Sequence, residues 1–141
     1  MEVNLDFTLR DGKTISTAGR YLKAIVEAQA NEYALFGIRG DGKTQASLAA
    51  IVGHSKVHEQ KGFPLPVPWM AVRDTHTNHK TTTLKSLANP LWQGCWHMYD
   101  DSHLAVFKAG EKEYVHMQLM GVENAEALDR LRQETVGVWF Q

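Results

Sequence analysis

The chain has 141 residues, 43% of them hydrophobic, and 15 Lys and Arg against 16 Asp and Glu give a net charge of −1. That is one domain's worth of chain with enough apolar content for a core, and it excludes a strongly basic nucleic-acid-binding domain, so DNA would be met only through a local patch or another part of the protein. One cysteine, Cys95, excludes an internal disulfide framework and suits a reducing compartment; residues 1–6 lack the basic and apolar regions of a secretion signal, and no apolar run reaches the length of a membrane span.

In chain order, Val3, Leu5, Phe7 and Leu9 alternate with Asn4, Asp6, Thr8 and Arg10. This pattern predicts a half-buried strand running into an Asp11-Gly12 turn. Ser16 or Thr17 can cap a helix carrying Ala18, Tyr21, Leu22 and Ile25 at helical spacing and ending near Asn31. Tyr33-Ala34-Leu35-Phe36 has the short apolar run of a buried parallel strand. Directly after it, Gly37-Ile38-Arg39-Gly40-Asp41-Gly42-Lys43-Thr44 fits G-x-x-x-x-G-K-[ST] at every fixed position. From Thr44 to Val52 the chain is apolar on most sides, as in a helix buried against a sheet, and Gly53 is a plausible stop.

Strand, glycine loop and helix thus occur in the order a phosphate-binding loop requires. In such a loop the backbone N–H groups of Gly37, Ile38, Arg39, Gly40, Asp41 and Gly42 wrap the phosphates of ATP or GTP. Lys43 adds a point charge and the Thr44 hydroxyl joins a Mg²⁺ ion. The helix N-terminus points its free N–H groups and positive dipole end at the anion. The alternative is a glycine-rich strand-to-helix turn with no ligand. Arg10-Asp11-Gly12-Lys13-Thr14 echoes the motif, but its first glycine would fall on Phe7, so it is not a second phosphate loop.

Further on, Pro64, Pro66 and Pro68 make 61–68 a stiff extended connector. Trp69-Met70-Ala71-Val72 reads as a second buried strand. It ends in Arg73-Asp74-Thr75, at the edge where α/β sheets bind ligands. A helix is predicted over about 78–88, with Leu84 and Leu87 inward and Arg73, Lys80 and Lys85 on a solvated face. Residues 104–107 and 114–120 read as a hairpin through Ala109-Gly110. Asn124 can cap a helix carrying Ala127, Leu128 and Leu131. The chain closes on an apolar strand, 136–140, and because chains seldom stop inside such a strand we expect the front part of a longer protein.

Two features invite other chemistry. His54 and His58 are one helical turn apart and His76 and His79 three residues apart. No cysteine or second acid completes a structural zinc set, which makes these surface or loop histidines. Cys95-Trp96-His97-Met98-Tyr99 followed by Asp100-Asp101 could be an apolar strand ending in acids. The chain would then be a complete small NTPase or kinase. His97 in mid-run, the lack of β-branched residues, and Pro90 and Gly94 near its start weigh against that strand, and no N-K-x-D guanine motif occurs. A nucleotide-binding module without catalysis is the third reading.

Three segments together resemble the ATPase domain of phage terminase large subunits, the DNA-packaging motors. They are the Arg-Gly-x-Gly-Lys-Thr form of 39–44, the strand ending in Val72-Arg73 with its Thr/Ser-rich helix, and 118–131 leading to the last strand. The resemblance covers roughly residues 30–141. It implies an α/β P-loop NTPase fold over 1–141, a mainly parallel sheet flanked by helices with an inserted β-hairpin. It also implies ATP and Mg²⁺ as cofactors, Lys43 and Thr44 on the β/γ-phosphates and Mg²⁺, and Arg39 acting on the γ-phosphate. The whole motor would couple hydrolysis to translocation of double-stranded DNA into the procapsid. Its partners would be the portal, the small terminase subunit and further copies in a ring, in the host cytoplasm and with no membrane. The family's acidic pair would follow the last strand, which here ends at Gln141, and no nuclease domain is present. The resemblance therefore implies a chain that binds ATP and hydrolyses it poorly alone.

Overall fold

The computed structural model describes residues 7–8, 14–15, 24–25, 30–36, 43–121, 126, 129 and 137–141. Near the start, β1 (Phe7–Thr8) falls within the strand expected before Asp11-Gly12, and it pairs antiparallel with β2 (Thr14–Ile15), which the alternation did not predict. Positions 24–25, 126 and 129 are helical. The capping residues and apolar positions expected around them, from Ser16 to Leu22 and from Asn124 to Leu131, lie outside the described residues.

The main sheet has five strands in the order β4 (Trp96–Tyr99), β5 (Leu104–Ala109), β6 (Lys112–Gly121), β3 (Val67–Arg73) and β7 (Gly137–Phe140). β3 is parallel to both β6 and β7, while β4–β5 and β5–β6 are antiparallel. The architecture is α/β with a mixed sheet, not the mainly parallel one expected. The reason is local. Gly110, at φ +67, closes a tight loop opposite the Ala109–Lys112 pair, and the hairpin it makes is part of the sheet itself. The run 96–99 also forms a strand, against expectation, because it has a partner: Trp96 and Met98 lie opposite Phe107 and Ala105.

Alternation sorts the two faces of the sheet. Val115, Met117 and Leu119 of β6, Ala71 of β3, Ala105 and Phe107 of β5 and Trp96 of β4 share one face and a single core cluster. The helix α1 (Lys43–Gln60) covers it with Ala46, Leu48, Ala49, Ile51 and Val52. Trp92, Trp96 and Phe107 meet edge to face at 5.3–6.1 Å between ring centres, the arrangement that opposed ring quadrupoles favour. Met70, Val72 and Val106 are buried outside that cluster.

Two expectations fail here. Gly53 does not end α1; it is buried within the helix, which runs its full 18 residues to Gln60. Packing of the apolar turns around it outweighs the roughly 1 kcal/mol that an internal glycine costs. Residues 32–36 form no strand, and Tyr33 and Phe36 are 45% and 87% exposed. β6 and β7 occupy both sides of β3, so these residues do not pair beside it.

After β3 the chain enters α2 (His76–Asn78), a π-helical turn (His79–Thr83) and α3 (Leu84–Leu87). Thr75 caps this run: its Oγ1 accepts the Asn78 N–H at 3.3 Å. Leu87 is buried and Leu84 packs on the core, as predicted. No described helix is long and apolar enough to cross a membrane.

Candidate phosphate-binding edge

Lys43 and Thr44 open α1, and both are half-buried. The rest of the motif, Gly37, Ile38, Arg39, Gly40, Asp41 and Gly42, lies outside the described residues. What fixes the first turn of the helix is Gln45, a residue the motif does not include. Its Nε2 donates to the Ser86 carbonyl at 3.2 Å, and its Oε1 accepts the indole N–H of buried Trp92 at 2.8 Å. Ser47 Oγ donates back to the Lys43 carbonyl at 2.9 Å.

Those bonds tie the N-terminus of α1 to the helical run that follows β3. Ser86 donates to the Thr82 carbonyl at 3.2 Å, and Thr82 Oγ1 accepts from Arg73 Nη1 at 2.6 Å. Since α1 leads back to the start of β3, its N-terminus and the C-terminal ends of β3 and β7 share one side of the sheet. There the positive end of the helix dipole and Arg73 meet, with the Asp74 carboxylate beside the arginine.

Arg73 is not on a solvated face. Its Nη1 also donates to Gln141 Oε1 at 3.3 Å, and Asp74 Oδ1 stands 4.0 Å from Nε. Nε is buried and makes no hydrogen bond, which leaves a charged donor unsatisfied at this edge. Asp74 is committed to the helix start, its Oδ1 accepting the Thr75 N–H at 2.9 Å and Asn78 Nδ2 at 2.7 Å. These bonds, Asn78 first, hold its carboxyl below the ordinary value.

Behind Arg73 lies a buried polar chain. His79 is 1% exposed, not the surface histidine expected. Its Nε2 lies 2.9 Å from the Met120 carbonyl, which can only accept, so Nε2 carries a proton and donates. Nδ1 lies 2.9 Å from Thr83 Oγ1, and that hydroxyl is 2.9 Å from Gln141 Oε1. The single Thr83 proton is shared between those two acceptors. Gln141 N–H donates to the Val72 carbonyl at 2.9 Å, extending the β7 pairing to the last residue. One network therefore joins the ends of β3, β6 and β7. Of its members the sequence singled out Arg73 and His79, each for another role; the i, i+4 spacing of His79 and Thr83 was the available signal.

Asp100 and Asp101 are exposed in the turn after β4, an outer strand. Three strand spacings, about 14 Å, separate that strand from β3, so the geometry does not bring these acids to Arg73. At the other end of β4 and β5, Gln93, Gly94, Cys95, His97, Lys108, Gly110 and Glu111 line an open cavity of about 250 Å³. Among the described residues no three metal-binding side chains cluster. No family model, no curated protein and no solved structure matches this chain.

Proposed function

We propose that the chain binds the phosphates of ATP with Mg²⁺ at residues 37–44, as a P-loop nucleotide-binding domain. One observation carries the reading: the motif's Lys43 opens an 18-residue helix whose N-terminus lies on the same side of the sheet as Arg73. Backbone N–H groups of the first turn, Lys43, the Thr44 hydroxyl for Mg²⁺ and Arg39 within the loop would supply charge and geometry. Arg73, whose guanidinium is held at this edge by Thr82 and Gln141, is suited to a further phosphate oxygen. The strand expected at 33–36 does not form, so the reading rests on the motif's sequence and on the helix that Lys43 opens.

With the terminase-like pattern of 39–44, 72–73 and 118–131, the domain is proposed as the ATP-binding part of a DNA-packaging large subunit. Translocation of double-stranded DNA belongs in that reading to the assembled motor with its portal, small subunit and ring partners. The carboxylate at this edge, Asp74, is engaged by Thr75 and Asn78. The chain alone is accordingly proposed to bind Mg·ATP and to turn it over slowly.

The test is calorimetric titration of Mg·ATP into the wild-type chain and Lys43→Ala. We expect the substitution to weaken binding by about tenfold or more, since each tenfold is about 1.4 kcal/mol and a charged contact to phosphate is worth at least that. Equal affinity in the two proteins would refute the phosphate-loop assignment.

A further inference from the structure

The second half of α1 carries a feature that the nucleotide reading does not use. His54 and His58, one turn apart, bring their rings to 4.9 Å between centres with a 39° tilt. The ring of His54 meets Trp69 of β3 edge-on at 5.6 Å, and that of His58 lies against Phe63 at 4.9 Å. Both Nδ1 atoms are buried and neither has a hydrogen-bond partner. Two adjacent orphaned ring nitrogens are uncommon, because each forfeits about 1–3 kcal/mol of hydration.

We propose that His54 and His58 together bind a divalent transition-metal ion of the zinc, nickel or copper class, with water completing its shell. Imidazole nitrogen is the ligand these ions favour. The ring spacing fits. A metal about 2.1 Å from a ring nitrogen stands about 3.2 Å from that ring's centre. Centres 4.9 Å apart then subtend about 100° at the metal, between the right angle of an octahedral site and the tetrahedral value. One ion would satisfy both orphaned nitrogens at once. Trp69 and Phe63 wall the pair on two sides and limit the number of protein ligands. Burial first, then His58 and the exposed Lys61, disfavour positive charge at His54; a bound cation meets the same Lys61 charge, so the site is a weak one whose affinity that neighbour can tune.

Zn²⁺ and Ni²⁺ alone, titrated into the untagged full chain against a chromophoric chelator, test this. The wild type should bind one equivalent. His54→Gln and His58→Gln should each lower the affinity about tenfold or more, at least as much as losing an outer-shell partner does. Lys61→Gln, at an exposed position, should raise it. His97→Gln, on the far strand, should change nothing. Zn²⁺ should also raise the melting temperature of the wild type and not of the His54→Gln, His58→Gln double variant. Equal affinity in the wild type and both single variants, or no tightening in Lys61→Gln, would overturn the proposal. The Lys61 comparison keeps it testable even where a histidine variant fails to fold.

Discussion

A buried imidazole between a carbonyl and a hydroxyl is held by geometry that only histidine supplies. His79 donates to Met120 and meets Thr83, which in turn reaches Gln141 and, through it, Arg73. His79→Ala removes the donor to the buried Met120 carbonyl and one of the two partners of Thr83, and we expect it to destabilise the fold by about 1–3 kcal/mol in urea unfolding. A loss under 0.5 kcal/mol would show that the network is not structural. Gln45→Ala strands the indole N–H of buried Trp92 and frees the first turn of α1. It should cost a similar 1–3 kcal/mol and weaken Mg·ATP binding as well, because Lys43 and Thr44 sit on that turn. Composition could not signal these partners. A glutamine next to the motif's threonine looks like any helix-surface residue until Trp92 is placed beside it, and His79 differs from an exposed histidine only by what β6 puts next to it.

Elements were more legible than partners. The apolar helix after Lys43, the strand before Arg73, the hairpin through Gly110 and the inward Leu84 and Leu87 all follow from periodicity and turn chemistry. The two strand misses concern which run finds a partner beside a given strand. Residues 33–36 have strand composition and no free edge on β3, whereas 96–99 have weaker composition and an edge on β5. Packing also sets one position on β7 that its sequence hides. A Cβ on Gly137 would come within 2.5 Å of the Trp69 ring. Gly137→Ala should therefore cost about 1–3 kcal/mol by overpacking, read as a lower denaturation midpoint, and a Gly137→Ala, Trp69→Leu pair should recover part of it. At the helix start after β3, the bonds from Asn78 and the Thr75 N–H hold the Asp74 carboxyl below the ordinary aspartate value of 3.8. As pH falls, the unfolded chain takes up the proton first. The stability Asp74 contributes is therefore present above 3.8 and lost as pH drops through its folded pKa. Asp74→Ala should remove that part of the acid limb of a stability–pH curve, and an unchanged limb would contradict the capping role.

At the scale of the molecule, the N-terminus of α1, the ends of the parallel strands β3 and β7, and Arg73 lie on one side of the sheet, where the proposed reading puts the phosphates. The opposite outer strand, with Asp100 and Asp101 in its turn, stands apart from it. The motif at 37–44 was fully legible in the sequence; the edge that would receive the phosphates was not, because it is assembled by Gln45, Ser86 and Thr82 across long sequence separations. The most direct measurement is a Mg·ATP titration of the isotope-labelled wild-type chain followed by backbone amide shifts. The account predicts saturable changes concentrated at Lys43, Thr44, Gln45, Arg73 and Thr82, with little change around Asp100 and Asp101. Saturation centred on the 250 Å³ cavity between Gln93 and Glu111, or no saturable change anywhere, would contradict it.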